Sequence, residues 1–232
     1  MPAITTDPAT AIALWVQLHD SAFPAGRMVH SHGLEEWLAQ RPDADAEAIE
    51  TAVCGHLLNG YATLDATVTA AAWRDWQSAQ RLGELDELIA TYKLFGNART
   101  ASVSAGRQLT ATACGIGIAA QHPYLRAVLA GSTPGHAAVV DGVVQAYLGV
   151  TEQLAVLGSL RSLMASMLSA AVRLGRLGPL QSQRIQLRTA ATMTEASALA
   201  CERPLTELGS LSPALEISGM CHEERTSRLF AT

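Results

Sequence analysis

Apolar residues recur at intervals of three and four along most of the chain, and no useful length of it alternates apolar with polar residues. The first pattern builds one face of an amphipathic helix, whereas a half-buried strand needs the second. The most apolar stretch is 151–174, with a stripe made of Leu157, Leu160, Met164, Met167 or Leu168, and Ala171. The sequence therefore predicts an all-α fold with this helix at the centre of the core.

Glycine and proline divide the 232 residues into about ten helices, and no unit of about 30–45 residues repeats. We expect a single-domain helical bundle over residues 1–202. Within it, Asp43 or Asp45 caps a helix that runs to Tyr61, and a further helix covers roughly 62–80. Residues 203–232 contain two breaks at serine and proline and no strong apolar stripe. They are expected to form a C-terminal tail that folds weakly alone.

Charge is unevenly distributed, which favours protein–protein docking or self-association. Residues 1–87 carry 13 acidic and 4 basic side chains, whereas 88–194 carry 2 acidic and 9 basic. No basic cluster interleaved with aromatic residues is present, so nucleic-acid binding is not expected. The longest uncharged run, 108–125, includes glycine and proline and is not apolar enough to span a membrane. The N-terminus lacks the pattern of a signal peptide, and the four cysteines are widely separated. These features predict a cytoplasmic protein.

The segment DSAFPAGRMVHSHGLEE, residues 20–36, is the most distinctive motif. His30 and His32 have a spacing that puts both imidazoles on one side of an extended turn, where they could share nickel or zinc. The alternative is that both histidines bond the loop backbone or lie at an interface. Gly26 and Gly33 supply backbone freedom. With Phe23 and Pro24 in the same rigid loop, the segment resembles a docking surface more than a reaction centre.

Other candidate sites have simpler explanations. Asp20 with Glu35 or Glu36 could form an acid–base pair, although acidic residues at a helix start are more often solvated or capping. Residues 169–185 place Arg173, Arg176 and Arg184 around a glycine-rich break; they either complement a helix dipole or form a surface for an anionic partner. No P-loop, GxSxG or HExxH motif is present, so a nucleotide site of the P-loop type is not expected.

Four blocks in order give the chain a resemblance to the urease accessory protein UreF family. The loop is similar to the family's SPALPVGGFAYSQGLE and matches it at Ala22, Pro24, Gly26, Ser31, Gly33, Leu34 and Glu35. NARTASVSAGRQL at 97–109 is similar to a family helix. GHAAVVDG and SAAVRLGRLGPLQSQRI resemble the family's GHYPVVFG and SAAVRLxPLGQxxxQR. The final HEERTSRLFAT is close to the family's HExxYSRLFxS.

The resemblance implies a non-enzymatic, all-α, dimeric scaffold without an intrinsic cofactor. It implies binding to a UreD (UreH) partner through the C-terminal tail, with the nickel-carrying GTPase UreG recruited and its GTP hydrolysis modulated during nickel insertion into apo-urease. Nickel would be in transit, with His30 and His32 as speculative ligands. The partner-binding residues expected from the resemblance are Phe23, Pro24, Gly26, Ser31, Gly33, Glu35, Arg173, Arg176, Arg184, His222, Arg228, Leu229 and Phe230.

The chain departs from the family pattern at several positions. Arg27 replaces the loop's second glycine, His30 an aromatic residue, and His32 a glutamine; Pro179 also replaces a glutamine. An alternative function from another class is a metal-dependent hydrolase on an α-bundle, with His30, His32 and carboxylates as ligands. That alternative predicts bound metal and turnover without partners.

Overall fold

The computed structural model describes residues 7–231. These residues contain twelve α-helices and no β-strand, which confirms the all-α class. The helices are α1 (Pro8–Leu18), α2 (Leu34–Ala39), α3 (Ala46–His56), α4 (Thr67–Arg74), α5 (Ala79–Tyr92), α6 (Gly96–Gly115), α7 (Pro123–Ala130), α8 (Ala137–Leu148), α9 (Glu152–Arg173), α10 (Pro179–Arg188), α11 (Ala190–Glu202) and α12 (Pro213–His222). Two short 3₁₀ turns, Arg27–Val29 and Leu205–Glu207, lie in the connections.

A π-helical segment, Leu57–Ala66, joins α3 to α4 without a break, so the two helices expected over 46–80 are one continuous helical rod that ends at Arg74. The Asp45 carboxylate caps the rod by accepting a hydrogen bond from the Ala48 N–H at 2.9 Å. The Thr67 hydroxyl donates to the Ala62 carbonyl, five residues earlier, at the widened turns. Segments of π-helix are rare and occur often at functional sites.

The core has two main apolar clusters. One is built on α4, α5, α7 and α8, and the other surrounds α9. Leu160, Met164, Met167 and Leu168 of α9 are fully buried, which confirms the predicted central position of this helix. By length and composition α9 could cross a membrane, but 67% of its apolar window is buried inside the bundle, as in the core helix of a soluble protein. The bundle itself therefore accounts for the apolar character of α9.

Close helix crossings depend on small residues. A Cβ atom at Gly106 of α6 would lie 2.0 Å from the Gly135 carbonyl oxygen, just before α8. A Cβ atom at Gly142 of α8 would lie 2.5 Å from the Thr69 carbonyl oxygen of α4. The start of α8 thus crosses α6 closely at Gly106, and α4 crosses α8 closely at Gly142.

After α11 the chain crosses the face of the bundle. The Gly209 and Leu211 N–H groups donate to the Thr63 and Asn59 carbonyls of the π-helical segment. The α12 helix then packs on α2, and Leu208, Leu215 and Phe230 are buried against the bundle. Residues 203–231 are thus docked on the rest of the chain, and their weak folding in isolation stays a prediction.

Candidate docking site formed by the N-terminal loop and the C-terminal segment

The first half of the loop, residues 20–26, is held on α6. The Pro24 carbonyl accepts hydrogen bonds from the Gln108 amide at 3.2 Å and the Thr112 hydroxyl at 2.8 Å. Gly26 follows in the left-handed region with φ of 71°, where a glycine is favoured because it has no Cβ. Phe23 is half-buried against the first apolar cluster. The loop is therefore fixed to the bundle before it reaches its histidines.

Arg27 anchors the middle of the loop through a nearly buried ion pair. Its guanidinium donates to the Asp141 carboxylate of α8 at 2.7 Å, and the two side chains are 21% and 7% exposed. It also reaches the Leu18 carbonyl and the Ser162 hydroxyl at longer distances. His19 lies in the same network, where burial first and the charge of Arg27 second lower its pKa to about 4.

The second half of the loop is shaped to receive α12. His32 and Gly33 both have positive φ, 54° and 81°. A Cβ atom at Gly33 would lie 2.3 Å from the Leu215 carbonyl oxygen, so a side chain at this position would push α12 away. The buried Ser31 hydroxyl accepts a hydrogen bond from the Glu35 N–H and thereby fixes the start of α2.

Glu35 joins the loop to the C-terminal segment, residues 223–231. One carboxylate oxygen accepts the Leu229 N–H at 2.8 Å, and the other accepts the Phe230 N–H and His222 Nε2, each at 3.0 Å. Burial raises the pKa of Glu35, but these three donors outweigh burial and lower the pKa overall. The carboxylate is therefore ionised at neutral pH, and His222, fully buried, donates to it from Nε2.

Further contacts join the same two segments. The Arg173 guanidinium stacks 4.5 Å from the ring centroid of buried Phe230 and also donates to the Met28 carbonyl. The Ala231 N–H donates to the Val29 carbonyl at 2.9 Å. A salt bridge from Arg225 to Glu36, at 2.8 Å, lies at the partly exposed edge of the C-terminal segment. The loop and the C-terminal segment, which are far apart in the sequence, are thus neighbours in space.

A cavity of about 180 Å³ lies behind the loop, between the π-helical segment, α6, α9 and α12. The imidazoles of His30, His32 and His56 line it. The ring centroid of His32 lies 6.2 Å from that of His30 and 6.3 Å from that of His56. A salt bridge of 2.7 Å between Asp65 and Lys93 lies on the same wall. The cavity is thus lined by both charged and neutral polar groups.

The imidazoles that line the cavity are neutral at physiological pH. Burial lowers the pKa of His30, and burial followed by the neighbouring His56 lowers that of His32 well below its ordinary value. Burial lowers the pKa of His56 to about 4, although Asp65 acts in the opposite direction. Within residues 7–231, no three His, Cys, Asp or Glu side chains are grouped so that they could hold a metal ion. Metal binding by His30 and His32 stays a prediction.

Comparison with known proteins identifies the family. The UreF family model matches residues 44–190. The chain belongs to the UreF family. The urease accessory protein UreF of Corynebacterium efficiens is 32% identical over 216 residues, which is 93% of this chain and 94% of the relative. Those of Kocuria rhizophila and Cereibacter sphaeroides are 32% and 30% identical and span 93% and 96% of this chain, and 94% and 99% of their own lengths. The resemblance drawn from the four sequence blocks is therefore confirmed.

In this UreF-family chain, the structure brings most of the expected partner-binding residues together. Five of the thirteen are exposed, namely Pro24, Arg173, Arg184, Arg228 and Leu229. Glu35, His222 and Phe230 are buried in the contact between the loop and the C-terminal segment. Leu229 and Arg228 lie exposed beside them. Their roles in partner binding stay predictions.

Two of the expected arginines lie outside this contact. The Arg176 guanidinium donates to four carbonyls at the end of α2 and in the turn before α3, those of Leu38, Arg41, Pro42 and Ala44. Arg184 is exposed on α10, which packs on α9 and α11. Arg176 thus has an evident structural role, and nothing in the structure explains Arg184.

Sequence reasoning missed several residues that shape the site, namely Asp141, His56, Asp65 and Lys93. Asp65 and Asp141 each stand as a single acidic residue inside an otherwise uncharged helical run. A lone carboxylate on a helix that must be buried requires a cationic or hydrogen-bonding partner, because burying an unpaired charge is costly. That pattern was the available signal for both ion pairs.

Proposed function

We propose that this chain is a urease accessory protein that works by docking and does not itself catalyse a reaction. It would bind a UreD/UreH-type accessory protein and a UreG-type GTPase, modulate GTP hydrolysis, and so support nickel insertion into apo-urease. The observation that carries the proposal is the contact that loop 20–36 makes with His222 and the C-terminal segment, residues 223–231. Its polar groups bind one another, and exposed side chains surround it. Such an arrangement suits a preformed protein-binding surface.

The surface offers different chemistry to the two partners. Arg228 and Leu229 are exposed on the C-terminal segment, and this part is proposed to contact the UreD/UreH-type protein. The loop, with Val29 exposed beside Arg173, is proposed to face the GTPase. The proposal also includes a homodimer, with one flank of α9 as its interface. It places the protein in the cytoplasm.

The alternative of a metal-dependent hydrolase has less support. Neutral imidazoles are suitable ligands for nickel or zinc, but a hydrolytic metal needs three or more protein ligands and an open position. The described residues provide no such group around His30 and His32. The cavity therefore supports at most a weak or transient metal contact.

Exchange of one exposed side chain tests the docking proposal. We expect Leu229→Asp to weaken co-purification with a UreD/UreH-type protein by about tenfold or more, because a central apolar contact typically contributes about 2 kcal/mol. Leu187→Asp is the matched control, since Leu187 is also an exposed leucine but lies on α10. Both variants should keep the helical circular dichroism of the parent. Equal binding by the two variants would contradict the assignment of this surface.

Direct contact with nickel is tested separately. Titration calorimetry with nickel should detect binding to the parent and its loss in the His30→Ala, His32→Ala double variant. His122→Ala provides the control, because His122 is buried beside Trp76, outside the cavity. An unchanged titration in the double variant would remove nickel from the proposed role of this chain.

A further inference from the structure

The C-terminal segment depends on Glu35 for its position. Between α12 and Leu229 the backbone makes only short-range hydrogen bonds of turns. The next three N–H groups all donate to residues near the start of the chain. Those of Leu229 and Phe230 donate to Glu35, and that of Ala231 donates to the Val29 carbonyl. The path of the segment is therefore set by long-range bonds.

The Glu35 site requires an ionised carboxylate. Both oxygens accept hydrogen bonds from donors that cannot turn away, since two are backbone N–H groups and the third is the enclosed His222 ring. A glutamine of the same size has one acceptor oxygen and would direct its NH₂ group at a donor. Hydrogen bonds to a charged group are also about twice as strong as those between neutral groups. Glu35→Gln should thus weaken the bonds at one oxygen position and replace an attraction by a repulsion between two donors at the other.

We propose that Glu35 is a positioning residue that clasps the C-terminal segment to the loop. In this arrangement Glu35 touches no partner, and its role is to hold Leu229 and its neighbours where a partner can reach them. The inference rests on the proposed function for its purpose. The clasp itself is intramolecular, so it is tested on the protein alone.

Hydrogen–deuterium exchange of the full chain provides the test. Glu35→Gln should accelerate exchange of the Leu229, Phe230 and Ala231 amides by about tenfold or more, while α8 keeps the parent rate. Glu36→Gln is the matched control. Glu36 is the next residue on α2 and pairs with Arg225 at the partly exposed edge of the segment, so this change should alter exchange by less than about threefold. Parent-like exchange of the three amides in Glu35→Gln would overturn the proposal, as would unprotected amides in the parent.

A second variant applies if Glu35→Gln unfolds the bundle and α8 also exchanges faster. Glu35→Asp keeps the charge but draws the carboxylate back by one methylene from the Leu229 and Phe230 N–H groups. Accelerated exchange of these amides with α8 unchanged would support the clasp, and parent-like exchange would overturn it.

The two proposals fail separately. Leu229→Asp keeps the backbone N–H that Glu35 accepts, so its segment should exchange at the parent rate even where partner binding is lost. Retained partner binding in Leu229→Asp with a protected segment refutes the docking assignment alone. An unprotected segment in the parent refutes the clasp alone.

Discussion

The ion pair between Arg27 and Asp141 provides the sharpest test of how the loop is held. Replacing one member of a buried pair typically costs about 3–5 kcal/mol, because the other charge is left without a partner. Arg27→Met would strand the Asp141 carboxylate, whose side chain is 7% exposed. Since the Arg27 site is itself 21% exposed, water can replace part of the lost interaction. We therefore expect a loss of about 2–3 kcal/mol in the free energy of unfolding.

The reciprocal change should cost less. In Asp141→Leu the guanidinium of Arg27 keeps its hydrogen bonds to the Leu18 carbonyl and the Ser162 hydroxyl, at 3.3 and 3.4 Å, and stays partly hydrated. We expect a loss of about 1–2 kcal/mol from this variant. The double variant removes both charges and should lie within about 1 kcal/mol of the parent, because apolar replacements of buried pairs are often neutral.

Urea unfolding followed by tryptophan fluorescence and circular dichroism would measure the cycle. The expected coupling energy between the two positions is about 2–5 kcal/mol, because the single-variant losses add to about 3–5 kcal/mol and the double variant loses about 1 kcal/mol or less; this is well beyond the usual non-additivity of independent sites. Single-variant losses that add within about 0.5 kcal/mol in the double variant would refute the argument, because the two charges would then not stabilise each other.

Two further predictions concern packing and pH. Gly106→Ala should lower the free energy of unfolding by about 1–3 kcal/mol, because its methyl group would meet the Gly135 carbonyl oxygen. Gly83→Ala, at an open position on α5, should instead raise the melting temperature. Melting-temperature shifts of the same sign in the two variants would contradict the close crossing at Gly106. Six of the seven histidines have lowered pKa values, so the unfolded state binds more protons below pH 6.5, and stability should fall as pH falls from about 6.5 towards 4. His19 alone should lower the free energy of unfolding by about 1.5 kcal/mol between about pH 6.5 and 5, and His19→Gln should reduce the total fall over this range by that amount. An equal fall in the variant would count against burial of a neutral imidazole at His19.

The fold class and the core helix could be predicted because both depend on local periodicity. The three- and four-residue spacing of 151–174 needs no knowledge of its neighbours, and α9 occupies Glu152–Arg173. The unbroken rod from Ala46 to Arg74 was missed, because a π-helical segment has a period that the α-helical pattern does not represent. Local patterns also give no direct sign of which elements will touch.

The candidate site illustrates that limit. The loop and the C-terminal end were both found from the sequence, but the bond between Glu35 and the Leu229 N–H joins residues 194 apart. The Arg27–Asp141 pair spans 114 residues, and both positions depart from the family motifs quoted above, which have glycine and phenylalanine there. Each departure alone would bury an unpaired charge, and together they neutralise each other. Only the folded structure shows that the two departing residues form one ion pair.

Family motifs mix residues that hold a surface together with residues that contact a partner, and burial separates the two. Glu35, His222 and Phe230 are enclosed, so they act on a partner only through the position they give to the segment. Val29 and Leu229 are 51% and 54% exposed on either side of this contact, where an apolar side chain gains free energy only when another molecule covers it. Substitutions in the enclosed set should therefore change the order of the segment before they change binding. Substitutions at the two exposed residues should change binding while the segment stays ordered.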